Sequence, residues 1–145
     1  MIAPPSRNAA NNWGFTPDNS IVHCNGALMR AHCQDQATIV KVTGEIDATN
    51  IDRFSDYTHR FIKGSTDLIL DLSGVDFLCA RGISVLVALD NDCRITGTRW
   101  AIVAGPTVTR LLHIGDPSDL LPTVNSERHA LKSFAKQGIN ALAAS

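Results

Sequence analysis

The chain has 145 residues, 44% of them hydrophobic and 19% charged, and its formal net charge is −1. That length and balance fit a single globular domain with a full hydrophobic core. The near-neutral charge, without a run of lysine or arginine, argues against a nucleic-acid partner. No stretch approaches the about 20 apolar residues that span a membrane, and the first residues lack the order of a signal peptide. We therefore expect a cytoplasmic protein with no membrane partner.

A flexible tail is predicted for residues 1–20, which are rich in Asn, Pro and Ala, followed by one domain at residues 21–145. Trp13 and Phe15 are exceptions in this tail, because aromatic side chains usually pack against other groups. The sequence leaves two places open for them, one on the domain and one on a partner.

The domain opens with a predicted antiparallel hairpin. Its strands are Ala27–Cys33 and Thr38–Ile46, and Asp35-Gln36-Ala37 turns the chain between them. A helix follows, in which Thr49 and Asp52 have the spacing of an N-terminal capping motif. Lys63-Gly64 provides its end, because glycine readily takes the left-handed conformation after a last turn. The residues on its inward face are Ile51, Phe54, Thr58, Phe61 and Ile62.

A buried strand and a second helix come next. Asp67–Leu72 is a short apolar run typical of a central strand, and Ser73–Cys79 is predicted to connect it to the helix. The helix spans Ala80–Thr96 and is ended by Gly97. It is apolar over most of its surface, which predicts deep packing. Its apolar residues are Ile83, Val85, Leu86, Val87 and Leu89.

The last third of the chain repeats this alternation. Trp100–Ala104 is a buried strand, and Gly105-Pro106 begins a third helix, because proline is pre-set for a first helical turn. Leu120–Val124 is predicted as an edge strand, since Pro122 cannot donate to a central ladder. Ser126 caps a last helix. The residues of this helix predicted to face inward are Leu131, Phe134 and Ala135.

Strands and helices alternate after the hairpin, which implies right-handed crossovers and a largely parallel core. We therefore predict an α/β fold. Its mixed β-sheet consists of an N-terminal hairpin and then β-α-β-α units, flanked by about four helices.

Two motifs resemble a known family. Val42–Asp47 reads V-T-G-E-I-D before a helix, and Leu70–Leu78 reads L-D-L-S-G-V-D-F-L before a helix start that contains glycine. Their order and separation are similar to the two signatures of STAS domains, and the resemblance covers about Ala27 to Phe134. Within that family the chain resembles the bacterial anti-sigma factor antagonists.

The resemblance implies a STAS fold and a non-enzymatic regulatory protein. Such proteins bind an anti-sigma factor, often a serine kinase, and so control transcription that depends on a sigma factor, as in bacterial stress responses. The kinase of this family phosphorylates a serine at the start of the second helix. The phosphate adds about two negative charges, which would disrupt a close-fitting interface.

At this helix start the family pattern is Asp-Ser-Ser/Thr-Gly, whereas this chain has Cys79-Ala80-Arg81-Gly82. Ala80 stands in the position of the serine, and no phosphorylation is expected there because alanine has no hydroxyl. Ser73 is a weaker alternative phosphosite, although such a hydroxyl more often satisfies backbone groups of a loop. Cys79 is a candidate redox input, because a helix N-terminus lowers the pKa of a thiol. The alternative for Cys79 is a simple packing role.

Arg81 is expected to have an anionic partner, because a cation in the first turn opposes the helix dipole. Asp47 and Asp76 are candidates within the chain, and an acid or phosphate of a partner is another. The alternative is a solvated surface arginine. Asp47 contacts the partner, caps the first helix, or does both. The partner-binding residues implied by the resemblance are Asp47, Thr49, Ser73, Asp76, Cys79, Ala80, Arg81 and Gly82.

The remaining chemistry-bearing residues point to no catalytic centre. The cysteines form no Cys-x-x-Cys pair and are expected to be free thiols. The histidines lack metal-ligand spacing, and no nucleophile, zinc or phosphate-loop motif is present. We therefore predict no enzyme, no metal and no cofactor. A redox- or nucleotide-responsive sensing module, a scaffold in a larger assembly and a homodimer stay open as alternatives.

Overall fold

The computed structural model describes residues 19–64, 66–116 and 118–144. Residues 1–18 of the tail predicted at residues 1–20, which include Trp13 and Phe15, lie outside the described residues. At Asn19 the chain already runs beside the sheet, because its N–H donates to the Ala31 carbonyl at 2.7 Å.

One mixed sheet organises the described residues. The first strand pairs with the second, and the second with the third, in antiparallel orientation; the three remaining pairings are parallel, as the alternation of strands and helices predicted. The strands lie in the sheet in the order of the sequence. They are β1 (Val22–Cys24), β2 (Ala27–Gln34), β3 (Ala37–Ile46), β4 (Asp67–Leu78), β5 (Trp100–Ala104) and β6 (Thr123–Val124). β1 was not predicted, because three residues, two of them exposed, carry no readable alternation.

Helices cover both faces of this sheet. Those found in the described residues are α1 (Ile51–His59), α2 (Arg81–Thr96), α3 (Pro106–Gly115) and α4 (Glu127–Ala144). Phe54, Leu86 and Val108, one from each of α1, α2 and α3, share a buried cluster with β3 residues such as Val42. On the second face, α4 contributes Phe134 to a smaller cluster. The predicted α/β fold with four flanking helices is confirmed.

The predicted connection at Ser73–Cys79 is wrong, because β4 continues to Leu78. Its second half stays paired with β3, as far as the pair Ile46 and Leu78, through two register shifts. Gly74 permits this pairing, since a Cβ there would lie 2.7 Å from Thr43 Cγ2. Only Cys79 and Ala80 then separate β4 from α2, so the end of the strand positions the helix directly.

The predicted end of α1 at Lys63-Gly64 is also wrong. The helix stops at His59, and Phe61 N–H bonds to the Thr58 carbonyl, which tightens the turn that follows. The Thr58 hydroxyl donates to the Phe54 carbonyl at 2.9 Å and competes with the helical ladder. Phe61 is nevertheless buried, so its inward position was predicted correctly.

The two longer helices are less buried than their sequences suggest. Leu86 and Leu89 of α2 are fully buried, but Val87 is 52% exposed, so the predicted deep packing is wrong for that side of the helix. In α4 Ala135 is exposed, and Ala130 is buried in its place. Each helix packs on the sheet with one face only. The sequence does not show which face this is, because small or β-branched residues also occur on the outer face.

The predicted helix ends elsewhere are confirmed. Gly97 takes a left-handed conformation with φ of 78° after α2, and Pro106 occupies the first turn of α3. Ser126 Oγ accepts a hydrogen bond from His129 N–H at 3.0 Å and so caps α4. β6 is an edge strand, although it is shorter than predicted.

Candidate functional site

The candidate site forms where β3 and β4 end side by side. The β3–α1 turn, residues 47–50, and the start of α2 meet there, because Cys79 N–H donates to the Ile46 carbonyl at 2.9 Å. The structure therefore brings together Asp47 and Thr49 on one strand end with Cys79–Gly82 on the other. Six of the eight residues implied by the resemblance meet in this way.

Asp47 is held in place by its own turn. Its Oδ1 accepts hydrogen bonds from the Thr49 hydroxyl at 2.6 Å and from Thr49 N–H at 2.9 Å. These two hydrogen bonds hold the pKa of Asp47 below its usual value, and the bond from the Thr49 hydroxyl has the larger effect. Asp47 is therefore a fixed anion at neutral pH. The capping motif predicted for Thr49 and Asp52 is wrong, because the Thr49 hydroxyl serves this carboxylate instead.

Asn50 is the residue that the sequence did not single out. It is 1% exposed and precedes α1. Its Oδ1 accepts from Asp47 N–H at 2.9 Å. Its Nδ2 lies 2.8, 3.1 and 2.9 Å from the carbonyl oxygens of Cys24, Asn25 and Glu45. One amide thus joins the β1–β2 turn, the end of β3 and the start of α1, and it fixes the position of Asp47.

Gly82 fixes the start of α2 against β4. A Cβ on Gly82 would overlap the side chain of Leu78, which is buried in the core. Ala80 precedes the helix, is exposed, and offers no side-chain hydrogen bond to the first turn. The close approach explains why glycine is needed here.

Arg81 pairs with neither of its predicted candidates. Its Nη2 donates to Asp52 Oδ1 at 3.1 Å, and both side chains are largely exposed. Asp47 is occupied by Thr49, and Asp76 lies on β4 toward α3, where its carbonyl oxygen accepts from the Thr107 hydroxyl at 3.4 Å. An exposed pair contributes little to stability, so Arg81 can exchange Asp52 for an acid of a partner at small cost.

Ser73 lies away from the start of α2. Cys79 is six positions further along the chain, or about 20 Å away at 3.3 Å per residue of strand. Its N–H and its hydroxyl both donate to Asp71 Oδ1, at 2.9 and 2.7 Å. The expectation that the Ser73 hydroxyl satisfies backbone groups of a loop is therefore wrong, because it donates to the carboxylate of Asp71 on the same strand.

An exposed face continues from this site along α2, with Arg81 at its border. Ala80, Ser84, Val87 and Ala88 are exposed at helical spacing, and they form one side of the helix. We call these four residues the α2 face. Exposed apolar side chains gathered beside a few fixed charges are typical of a protein-binding surface.

Two carboxyl groups outside this site share a hydrogen bond. Asp71 is buried on the second face of the sheet, and Glu127 in the first turn of α4 lies against it. Burial opposes the charge of Asp71, but hydrogen bonds from Glu127 and Ser73 outweigh it and lower its pKa. The hydrogen bond to Asp71, then burial and the negative charge of Asp71, raise the pKa of Glu127 to about 7. The pair therefore holds a proton near neutral pH.

We expect the free energy of unfolding to fall as the pH rises through about 7, and Glu127→Gln to abolish this fall. The folded pKa of Glu127 lies above its ordinary value of 4.5, so its contribution is complete below that value and is lost on deprotonation. At pH 8 the variant should be more stable than the wild type by about 1 kcal/mol, a figure discounted because Glu127 is partly exposed.

Urea denaturation at pH values of about 5, 6, 7 and 8, which span the titration of Glu127, measures this difference. Glu45→Gln, at an exposed acid of β3, is the matched control and should keep the wild-type pH dependence. Parallel pH profiles for the wild type and Glu127→Gln would contradict the shared proton.

The other polar clusters serve packing. His59 Nε2 lies 2.9 Å from Asp92 Oδ2, and its Nδ1 lies 2.7 Å from the Ser55 carbonyl oxygen, so the ring connects α1 to α2. The same Nδ1 lies 3.3 Å from the Ser55 hydroxyl, but the shorter contact with the carbonyl oxygen occupies this nitrogen. The described residues contain no group of three or more His, Cys, Asp or Glu placed to hold a metal ion.

The cysteines are free, as predicted. Burial, followed by the charges of Asp90 and Asp92, raises the pKa of Cys93 to about 12, which keeps this thiol protonated. Cys79 is half-buried and packs against the main hydrophobic cluster. Cys24 and Cys33 lie on different strands, β1 and β2.

At this site two parallel strands end side by side, with the β3–α1 turn after one of them and α2 pressed onto the end of the other. The sequence profile of the STAS domain matches residues 29–130, and the chain belongs to the STAS domain family. Among the described residues, no helix is long and apolar enough to cross a membrane.

Three relatives illustrate the similarity. Osmosensory protein A of Mycobacterium tuberculosis is 36% identical over 135 residues, which cover 90% of this chain and 85% of that protein. The anti-sigma-F factor antagonist RsfA of the same species is 29% identical over 103 residues, covering 68% and 80%. The crystal structure of an anti-sigma factor antagonist from Mycobacterium paratuberculosis has a TM-score of 0.66 at 25% identity, covering 82% of this chain and 97% of that one.

Proposed function

We propose that this protein binds an anti-sigma factor in the cytoplasm, without catalysing a reaction, and so controls sigma-dependent transcription. The observation that carries the proposal is the α2 face, which is exposed and uncharged and begins at Ala80 beside the fixed carboxylate of Asp47. A charged group added at position 80 would lie on this face. Without a hydroxyl there, the protein keeps its binding surface and escapes phosphorylation at Ala80.

The names of the relatives support this proposal and suggest its setting. RsfA is named an antagonist of the anti-sigma-F factor, and Osmosensory protein A is named for osmotic sensing. We therefore propose osmotic stress as the condition under which the complex forms. Redox control through Cys79 has less support, because that side chain packs against the core.

The partner is identified by affinity purification from the native cell, before and after osmotic shock, followed by mass spectrometry. The baits are the wild type, Arg81→Ala and the matched control Arg110→Ala, which changes an exposed arginine on α3. We expect one anti-sigma factor with the wild type and the control, and its loss with Arg81→Ala. Absence of any anti-sigma factor from the wild-type sample would contradict the proposal.

Phosphorylation tests the role of position 80 directly. The purified anti-sigma factor, if it is a kinase, is incubated with ATP and either the wild type or Ala80→Ser. We expect stoichiometric phosphate on the variant alone, and release of the complex on phosphorylation. Phosphate on the wild type within residues 73–82, including Ser73, would show that the chain retains an input that we propose it lacks.

A further inference from the structure

A cavity of about 170 Å³ lies beside the N-terminal hairpin, away from the α2 face. The strand register makes Leu28 and Thr43 one cross-strand pair, and Arg30 and Lys41 the next. Side chains alternate along a strand, and Val42 is buried under α1–α3, so these two pairs lie on the second face of the sheet. The residues that line the cavity are Ile21, Leu28, Met29, Arg30, Lys41 and Thr43.

Arg30 and Lys41 place two positive charges directly opposite each other. Like charges in such a pair destabilise it. Within the described residues, neither side chain has an acid within 4 Å to form an ion pair. Asp71 lies opposite Lys41 in the pairing of β3 with β4, and the charges of both cations act on Glu127. The shared proton leaves the Asp71–Glu127 pair with one negative charge beside these two cations, so this pair does not balance the second positive charge at the cavity.

The other wall of the cavity is apolar and open. Ile21 is 53% and Leu28 is 41% exposed. α4 packs across β4, β5 and β6 and leaves these residues beyond its main contact. An apolar wall beside two cations matches a ligand with an apolar body and one negative end. A cavity of about 150 Å³ is large enough to take up benzene, so a single aromatic ring fits.

We propose that this cavity binds a small aromatic carboxylate, with its ring on Ile21 and Leu28 and its carboxylate between Arg30 and Lys41. An arginine can hold a carboxylate with two parallel hydrogen bonds, and the lysine adds a second charge. The ligand relieves the repulsion between the two cations. This site is independent of the proposed anti-sigma partner.

The test uses the full-length protein and phenylacetate, followed by calorimetry and by amide chemical shifts. For a ligand of this size we expect a Kd on the order of 1 mM. Shifts should concentrate at residues 28–30 and 41–43. Phenylacetamide keeps the ring without the charge, and acetate keeps the charge without the ring. Each should bind at least about tenfold more weakly.

Arg30→Gln and Lys41→Gln should each weaken phenylacetate binding about tenfold, since each removes a charge-assisted contact. Both should fold, because removing one of two facing cations relieves repulsion, and unchanged amide spectra elsewhere confirm it. Arg110→Gln, at an exposed arginine of α3, is the matched control and should bind as the wild type does. No binding at about 20 mM phenylacetate, equal binding of acetate, or unchanged affinity in both variants would overturn the proposal.

Discussion

Val87→Asp should weaken binding of the anti-sigma factor about a hundredfold or more, with little change in the stability of the free protein. Val87 is 52% exposed on α2 and lies three residues beyond Ser84 and seven beyond Ala80, on the same side of the helix. In a complex that covers the α2 face, aspartate would be a buried charge without a partner, which costs about 3–5 kcal/mol. In the free protein the carboxylate stays in water, so stability should change by no more than about 0.5 kcal/mol.

Calorimetry with the purified anti-sigma factor measures the affinity, and thermal unfolding measures the stability. Ile114→Asp is the matched control, because Ile114 is 77% exposed on α3 and receives the same change. The control should keep wild-type affinity. Equal losses in both variants, or wild-type affinity in Val87→Asp, would place the partner on another surface.

Asn50→Ala should lower the free energy of unfolding by about 3 kcal/mol, the largest stability effect that we expect from a polar substitution in this chain. The side chain is 1% exposed and lies within hydrogen-bonding distance of three carbonyl oxygens and one N–H group. Alanine removes the partner of these groups, of which the Cys24 carbonyl contact is buried and the other three are partly buried. Each unsatisfied buried group costs about 1–3 kcal/mol, and partial rearrangement reduces the sum.

Urea denaturation at about pH 6, where the Asp71–Glu127 pair still holds its proton, gives this value. Asn91→Ala is the control, because Asn91 is an exposed asparagine on α2. It should stay within about 0.5 kcal/mol of the wild type. A similar small effect for Asn50→Ala would mean that water replaces the amide, and that the turn does not depend on it.

The fold was largely predictable because its elements follow strong local patterns. The buried runs at Leu68–Leu72 and Trp100–Ala104 and the glycine at 97 act within a few residues, and the structure confirms them. The errors fall where a distant partner decides. β4 continues past Ser73 because β3 pairs with it, and no local pattern in S-G-V-D-F-L reveals that pairing.

The candidate site was predictable in place but not in its contacts. The resemblance located the start of α2, and the parallel strands brought Asp47 beside it. The bonding partners could not be predicted, because Asn50 acts across 25 and 26 residues of sequence and Arg81 across 29. The acidic pair Asp71 and Glu127 was missed for the same reason, since only the packing of α4 on the sheet brings these carboxyl groups together.

The amide of Asn50 has a consequence for the kinetics of recognition. It holds the β3–α1 turn to the hairpin, and Gly82 presses α2 onto the end of β4, so the fold positions the proposed binding surface before any partner binds. Association then loses little conformational entropy. A pre-organised surface of this kind favours rapid docking without coupled folding, so differences in affinity between partners should reside chiefly in their dissociation rates.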